Sequence, residues 1–136
     1  MVCGIDEIDT IDDAYREALA AKGITNTNQL FKRCETAKGR AELARMTGLK
    51  EADLLRWVLL VDLLCLPELG KGYLNLLCAA GVHSLEHMRS AEIDDLMARL
   101  AAAKAGARNP KKVRMPSETM ATGWIAHART VRSTVV

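Results

Sequence analysis

A pattern near the start of the chain recurs in its second half, and this recurrence constrains the fold more than any other feature. Ile11, Tyr15, Gly23, Ile24 and Leu30 are answered 58 residues later by Leu69, Tyr73, Gly81, Val82 and Met88. In each copy a tyrosine is followed by about two turns of helix-compatible sequence and then a glycine, the residue that most readily closes a helix. Trp57-Val58 is answered by Trp124-Ile125 at a spacing of 67, so the second copy holds nine extra residues. Two copies of this length predict a pseudo-symmetric pair of four-helix units rather than a solenoid. The expected boundaries are 1–65 and 66–136.

The second copy opens with Leu66-Pro67-Glu68-Leu69-Gly70-Lys71-Gly72-Tyr73. Gly70 and Gly72 permit a tight turn that a Cβ would strain, and the helix after it is expected to run to Ala80 and stop at Gly81. A tight turn opening onto a helix directs backbone N–H groups outward, which is anion-binding geometry. In the first copy Asp12 stands at the same helix start, a good N-cap whose carboxylate would satisfy those amides internally. Asp9, Asp12 and Asp13 would also repel a phosphate.

Taken in order, the first helix is expected from Asp12 to Gly23 and the second from Thr25 to Lys32. A third, capped by Thr36, passes through Ala41, Leu43 and Met46 to Gly48. The fourth, from Glu51 to Cys65, carries Leu54, Leu55, Trp57, Val58, Leu59, Leu60, Val61, Leu63 and Leu64. A helix apolar nearly all round must be covered on most sides, so this one is central. The second copy continues with a short helix capped by Ser84 and another capped by Ser90, with Ile93, Leu96, Met97 and Leu100 on one stripe. Residues 101–115 read as a basic insertion broken by Pro110, and Pro116-Ser117 start a last helix through Met120, Trp124, Ile125 and Val131.

Composition agrees with an all-α reading. Apolar residues make up 49% of the chain and aromatics only 4%, so the core must be aliphatic, a mix that favours helix over sheet. No apolar run approaches the roughly 18 residues of a membrane span. Asp6, Glu7 and Asp9 fall where a signal peptide would be apolar, so a cytoplasmic location is expected. Cys3, Cys34, Cys65 and Cys78 have no metal-binding spacing, and three of them read as small buried apolar residues of a reducing compartment. Charge is polarised: residues 1–15 hold five acids and no base, and residues 99–114 hold six bases and no acid.

The Leu69-Gly70-x-x-Tyr73 turn with Ala80-Gly81-Val82 resembles a helix-hairpin-helix unit. The stretch from Gly39-Arg40 through Leu43-Ala44 to Thr47-Gly48-Leu49, with Arg56-Trp57 downstream and a closing Trp124, is similar to a bacterial family of unknown function built from two such units. The resemblance implies an all-α fold of two pseudo-symmetric helix-hairpin-helix units fused into one compact domain. Proteins of the wider helix-hairpin-helix class often hold the DNA backbone without reading sequence. Here the places usually taken by glycine hold Glu68 and Gly70 in the second copy, and Thr10 and Asp12 in the first.

His83-Ser84-Leu85-Glu86-His87 fits an H-x-x-E-H zinc pattern, but His83 precedes the Ser84 cap and the helix is short, so no metal is expected. No catalytic arrangement and no cofactor signature stand out, and the chain is expected to be a non-enzymatic binding module. The first expectation is an adaptor for another protein, with Asp9, Asp12 and Asp13 as the acidic contact. The alternative is weak, sequence-independent nucleic-acid-backbone binding through Gly70, Lys71, Gly72, Lys104, Arg108, Lys111, Lys112 and Arg114. Met46, Met88, Met97 and Met120 read as core, or as the lining for an apolar small molecule between the helices, a third alternative.

Overall fold

The computed structural model describes residues 2–136 and is all-helical; among them there is no β-strand, only an isolated antiparallel bridge between Gly4 and Asn26. The helices are α1 (Asp13–Ala20), α2 (Thr27–Cys34), α3 (Ala37–Thr47), α4 (Glu51–Asp62), α5 (Gly70–Ala79), α6 (Leu85–Arg89), α7 (Ile93–Ala105) and α8 (Glu118–Ala128). Short 3-10 turns occupy Ile5–Glu7, Leu63–Cys65 and Pro110–Lys112. Among the described residues no helix is long and apolar enough to cross a membrane.

Side-chain caps set most of the helix starts. Asp12, Thr36, Ser84 and Ser117 each accept a backbone N–H three residues on, satisfying donors that the first turn otherwise leaves open. The second helix starts two residues later than its apolar pattern predicts, because Asn26 and Gln29 form a reciprocal capping box. Ser90 does not cap α7. Its hydroxyl donates to the Glu86 carbonyl at 3.0 Å, closing α6, and α7 begins after Glu92 without a side-chain cap. Helix α7 also runs further than expected. Ala101 to Ala105 stay helical because alanine is the strongest helix former, so the basic loop begins at Gly106, not at residue 101.

Helix α4 is the centre. Leu54, Trp57, Val58, Leu60 and Val61 are buried, as are Leu63 and Leu64 just beyond it. It packs on α2, α3, α5 and α6, while α8 packs on α6 and α7. Two aromatic pairs sit in this core: Tyr15 against Trp57 with ring centroids 5.1 Å apart, and Tyr73 against Trp124 at 5.3 Å. Both lie in the range where tilted rings attract. Trp124 donates its indole N–H to the Pro67 carbonyl at 2.9 Å, whereas the buried Trp57 Nε1 finds no partner among the described residues. Met88 is buried and Met97 and Met120 are partly so, but Met46 is exposed on α3.

The last residues form a polar strap across the helices. Arg89 on α6 donates to the carbonyls of Ala128 and Val131, both at 3.0 Å. Further on, the Ser133 hydroxyl donates to Asp62 and the Thr134 hydroxyl to Glu35, each at 2.5 Å. The buried Arg40 guanidinium donates to the carbonyls of Cys34, Glu35 and Val136. Arg40 is thus hydrogen-bonded to main chain at every contact and fixes the turn between α2 and α3.

Burial pushes the Asp62 carboxyl above its ordinary value of 3.8, against the lowering effect of the Ser133 hydroxyl, and the nearby Glu35 charge adds to the rise. A carboxyl that holds its proton more tightly when folded makes the folded state lose stability as pH rises through the raised pKa, and regain it as pH falls. Asp62→Asn should therefore be more stable than the parent chain at neutral pH, with the advantage shrinking toward pH 4; denaturant midpoints across that range check this. Leu60, 2% exposed, should cost about 2–5 kcal/mol when cut to alanine, measured by the same unfolding transition.

Candidate functional site

Three features meet on one side of the molecule: the turn before α5, the acidic N-terminal segment, and the loop after α7. The turn is built from two left-handed residues, Glu68 at φ 60° and Gly70 at φ 64°, on either side of the buried Leu69. Gly72, read from sequence as a second turn glycine, is instead inside α5 with no left-handed φ and open space where a Cβ would go. The residue that bears the second left-handed conformation is Glu68, a conformation costly for a side chain with a Cβ. The turn is held from behind by the Trp124 indole on Pro67.

The N-terminal segment lies along the start of α5. Ile5, Ile8 and Ile11 are buried, which presents the polar residues between them to α5. Glu7 pairs with Lys71 at 2.6 Å. Their shared hydrogen bond lowers the Glu7 pKa and raises that of Lys71. Asn75, one turn further along α5, accepts from the Asp9 N–H at 3.0 Å and donates to the Glu7 carbonyl at 2.9 Å. Lys71, expected as a phosphate contact, is therefore engaged by the chain's own acid. Of the acidic candidates, Asp12 caps α1 by accepting from the Tyr15 N–H at 3.3 Å, Asp13 pairs with Arg16 at 3.1 Å, and Asp9 keeps its carboxylate free of any ion pair among the described residues.

The basic loop folds back toward α5. Lys104, near the end of α7, donates to the Val113 carbonyl at 2.6 Å, which pins the loop and uses this cation internally. Arg108, Lys111, Lys112 and Arg114 are exposed, and their side chains have no ion pair or hydrogen bond among the described residues. Between loop and helix lies a cleft of about 440 Å³. Its α5 wall is Gly72, Asn75, Leu76 and Ala79; its floor includes Ala103 and Ala107; its loop wall carries Arg108, Lys112, Val113 and Arg114, with Asp9 at the edge. The acidic and basic candidates therefore adjoin at Asp9.

The chain belongs to the DUF4332 family. The family, described as a domain of unknown function, matches residues 9–131, a span that takes in the turn, the cleft and both tyrosine–tryptophan pairs. No curated protein and no solved structure matches the chain.

The cysteines and histidines of this DUF4332 chain lie outside the cleft, and Cys78 Sγ lies 3.8 Å from His83 Nδ1. All four thiols are free, and desolvation raises each of their pKa values, that of Cys34 to about 11, which favours the protonated thiol near neutrality. Cys3 and Cys34 are buried and Cys78 partly so, but Cys65 is exposed. The His83 N–H donates to His87 Nδ1 at 3.1 Å, and among the described residues no three His, Cys, Asp or Glu side chains are grouped as metal ligands would be. Sequence reasoning missed Asn75, the residue that joins the N-terminal segment to α5. Its signal was an amide placed among Leu74, Leu76 and Leu77, a polar break in an otherwise apolar stretch.

The turn geometry separates its two glycines. Gly70→Ala should lose about 1–2 kcal/mol because a Cβ enters the left-handed region. Gly72→Ala should gain about 0.5–1 kcal/mol because an exposed helical glycine is replaced by a better helix former. Thermal or denaturant unfolding of the two variants, with opposite signs, checks the assignment.

Proposed function

We propose that the chain is two tandem helix-hairpin-helix units, residues 1–65 and 66–136, acting together as a non-enzymatic adaptor for another protein. The two-unit reading is supported by helices that follow in the same order twice, and by Tyr15–Trp57 and Tyr73–Trp124 pairs at corresponding places. The adaptor reading is carried by the cleft beside α5, where an apolar floor is rimmed by Arg108, Lys112 and Arg114 and edged by Asp9. An apolar centre with a polar rim is the anatomy of a protein interface, and a rim of one dominant sign selects and steers an oppositely charged partner.

A nucleic-acid backbone is the second reading, favoured by four exposed loop cations, Arg108, Lys111, Lys112 and Arg114, that no acid neutralises among the described residues. It is weakened by Lys71, bound to Glu7, and by the free Asp9 carboxylate at the cleft edge. Four phosphate contacts would give a log–log salt slope of about −3 to −4 on duplex DNA.

Affinity isolation from the source cells, with nuclease treatment, separates the two. The parent chain should retain a protein that an Arg108→Glu/Arg114→Glu variant loses and that nuclease leaves bound. Retention that nuclease abolishes would favour nucleic acid. In that case, duplex binding should show the slope above, flattened by about two units in Lys111→Ala/Lys112→Ala and unchanged in Lys71→Ala.

A further inference from the structure

We infer that the cleft between α5, the end of α7 and the following loop holds an acidic segment of the partner protein, with one apolar side chain of that segment seated on its floor. The inference rests on the adaptor reading and names the chemistry of its partner.

The floor supplies the first half of the argument. Ala103 and Ala107 on the floor are small, as is Ala79 on the α5 wall, and Leu76 and Val113 make the walls beside them apolar. Their small size leaves the volume of about 440 Å³, toward the lower end of ligand sites and suited to one or two side chains. The loop wall cannot simply collapse onto the floor, because Lys104 holds it at Val113. The α5 side is tied as well: Asn75 accepts from the Asp9 N–H and donates to the Glu7 carbonyl, which leaves one amide N–H and one oxygen lone pair of its side chain uncommitted.

The rim supplies the second half. Arg108, Lys112 and Arg114 all stand on the loop side and have no internal anion, so charge complementarity requires carboxylates or phosphates along that edge. Asp9 also lines the cleft, where it repels a phosphate and a carboxylate alike but accepts a backbone N–H, a donor that a peptide has and a nucleic-acid backbone lacks. A nucleic-acid backbone would leave the apolar floor unused, and a neutral apolar molecule would leave the three cations unanswered. An acidic peptide with an apolar anchor satisfies the floor, the loop side and Asp9 together.

Fluorescence anisotropy with the full chain tests this using two labelled peptides of equal length and charge. Both are rich in Asp and Glu; one carries a single central Leu and the other Ser at that place. The Leu peptide should bind about tenfold more tightly, the gain expected from burying that side chain. Ala103→Phe, or Ala107→Phe where the first fails to fold, should fill the floor and erase the difference, and Arg108→Glu/Arg114→Glu should weaken both peptides at least tenfold. Equal binding of the two peptides, or no binding of either at about 50 mM salt, overturns the inference. If neither peptide distinguishes itself while a cellular protein still depends on Arg108 and Arg114, the anchored-peptide inference fails and the adaptor reading survives. If no cellular protein depends on those arginines, the adaptor reading fails as well.

Discussion

The structure depends on keeping water away from α4. This helix buries leucine, valine and tryptophan on several faces, so no single neighbour can cover it and elements from both halves of the chain must pack around it. Helices α2 and α3 come from before it and α5 and α6 from after it. A core with so few aromatics gains its free energy from many aliphatic contacts of modest individual worth, to which the two tyrosine–tryptophan pairs add ring–ring contacts. The polar strap adds a different kind of tie. Through Arg89, Asp62, Glu35 and Arg40 it binds the end of the chain to α2, α3, α4 and α6 by hydrogen bonds.

Once α4 is covered, the surface charges divide into those the chain consumes and those it leaves free. Glu7 takes Lys71, and Val113 takes Lys104. These contacts fix the N-terminal segment and the loop on either side of α5, and the fixed walls create the cleft. The cations left over stand on its loop wall. Two charges that a sequence reader counts toward ligand binding are thus what shapes the site for the remaining ones.

Much of the fold was legible because it rests on local rules. Asp12, Thr36, Ser84 and Ser117 cap helices as their positions predict, and most of the apolar run of α4 is buried as its pattern requires, although Leu55 is exposed and Leu59 only partly covered. What escaped were choices made between nearby alternatives or over long distances. Asn26 with Gln29 displaces the start of α2, and Glu92 rather than Ser90 precedes α7. Glu68 takes a left-handed conformation that composition assigns to glycine. The acid-free run of bases that includes Arg108, Lys111, Lys112 and Arg114 is visible in sequence, and these four are exposed on the loop. That Lys71 and Lys104 are spent, and that Asp9 adjoins the loop, depends on contacts spanning from 9 residues to about 100 and could only be seen in three dimensions.

The claim that the working surface is this cleft is tested most directly by nuclear magnetic resonance of the side-chain amide of Asn75 and the guanidinium Nε–H groups of Arg108 and Arg114 during titration with an acidic peptide bearing one leucine. The account predicts that all three shift together and saturate at one equivalent, while the Trp57 and Trp124 indole signals stay in place. Shifts confined to the exposed lysines and arginines, without Asn75 and without saturation, would show diffuse charge attraction and contradict it.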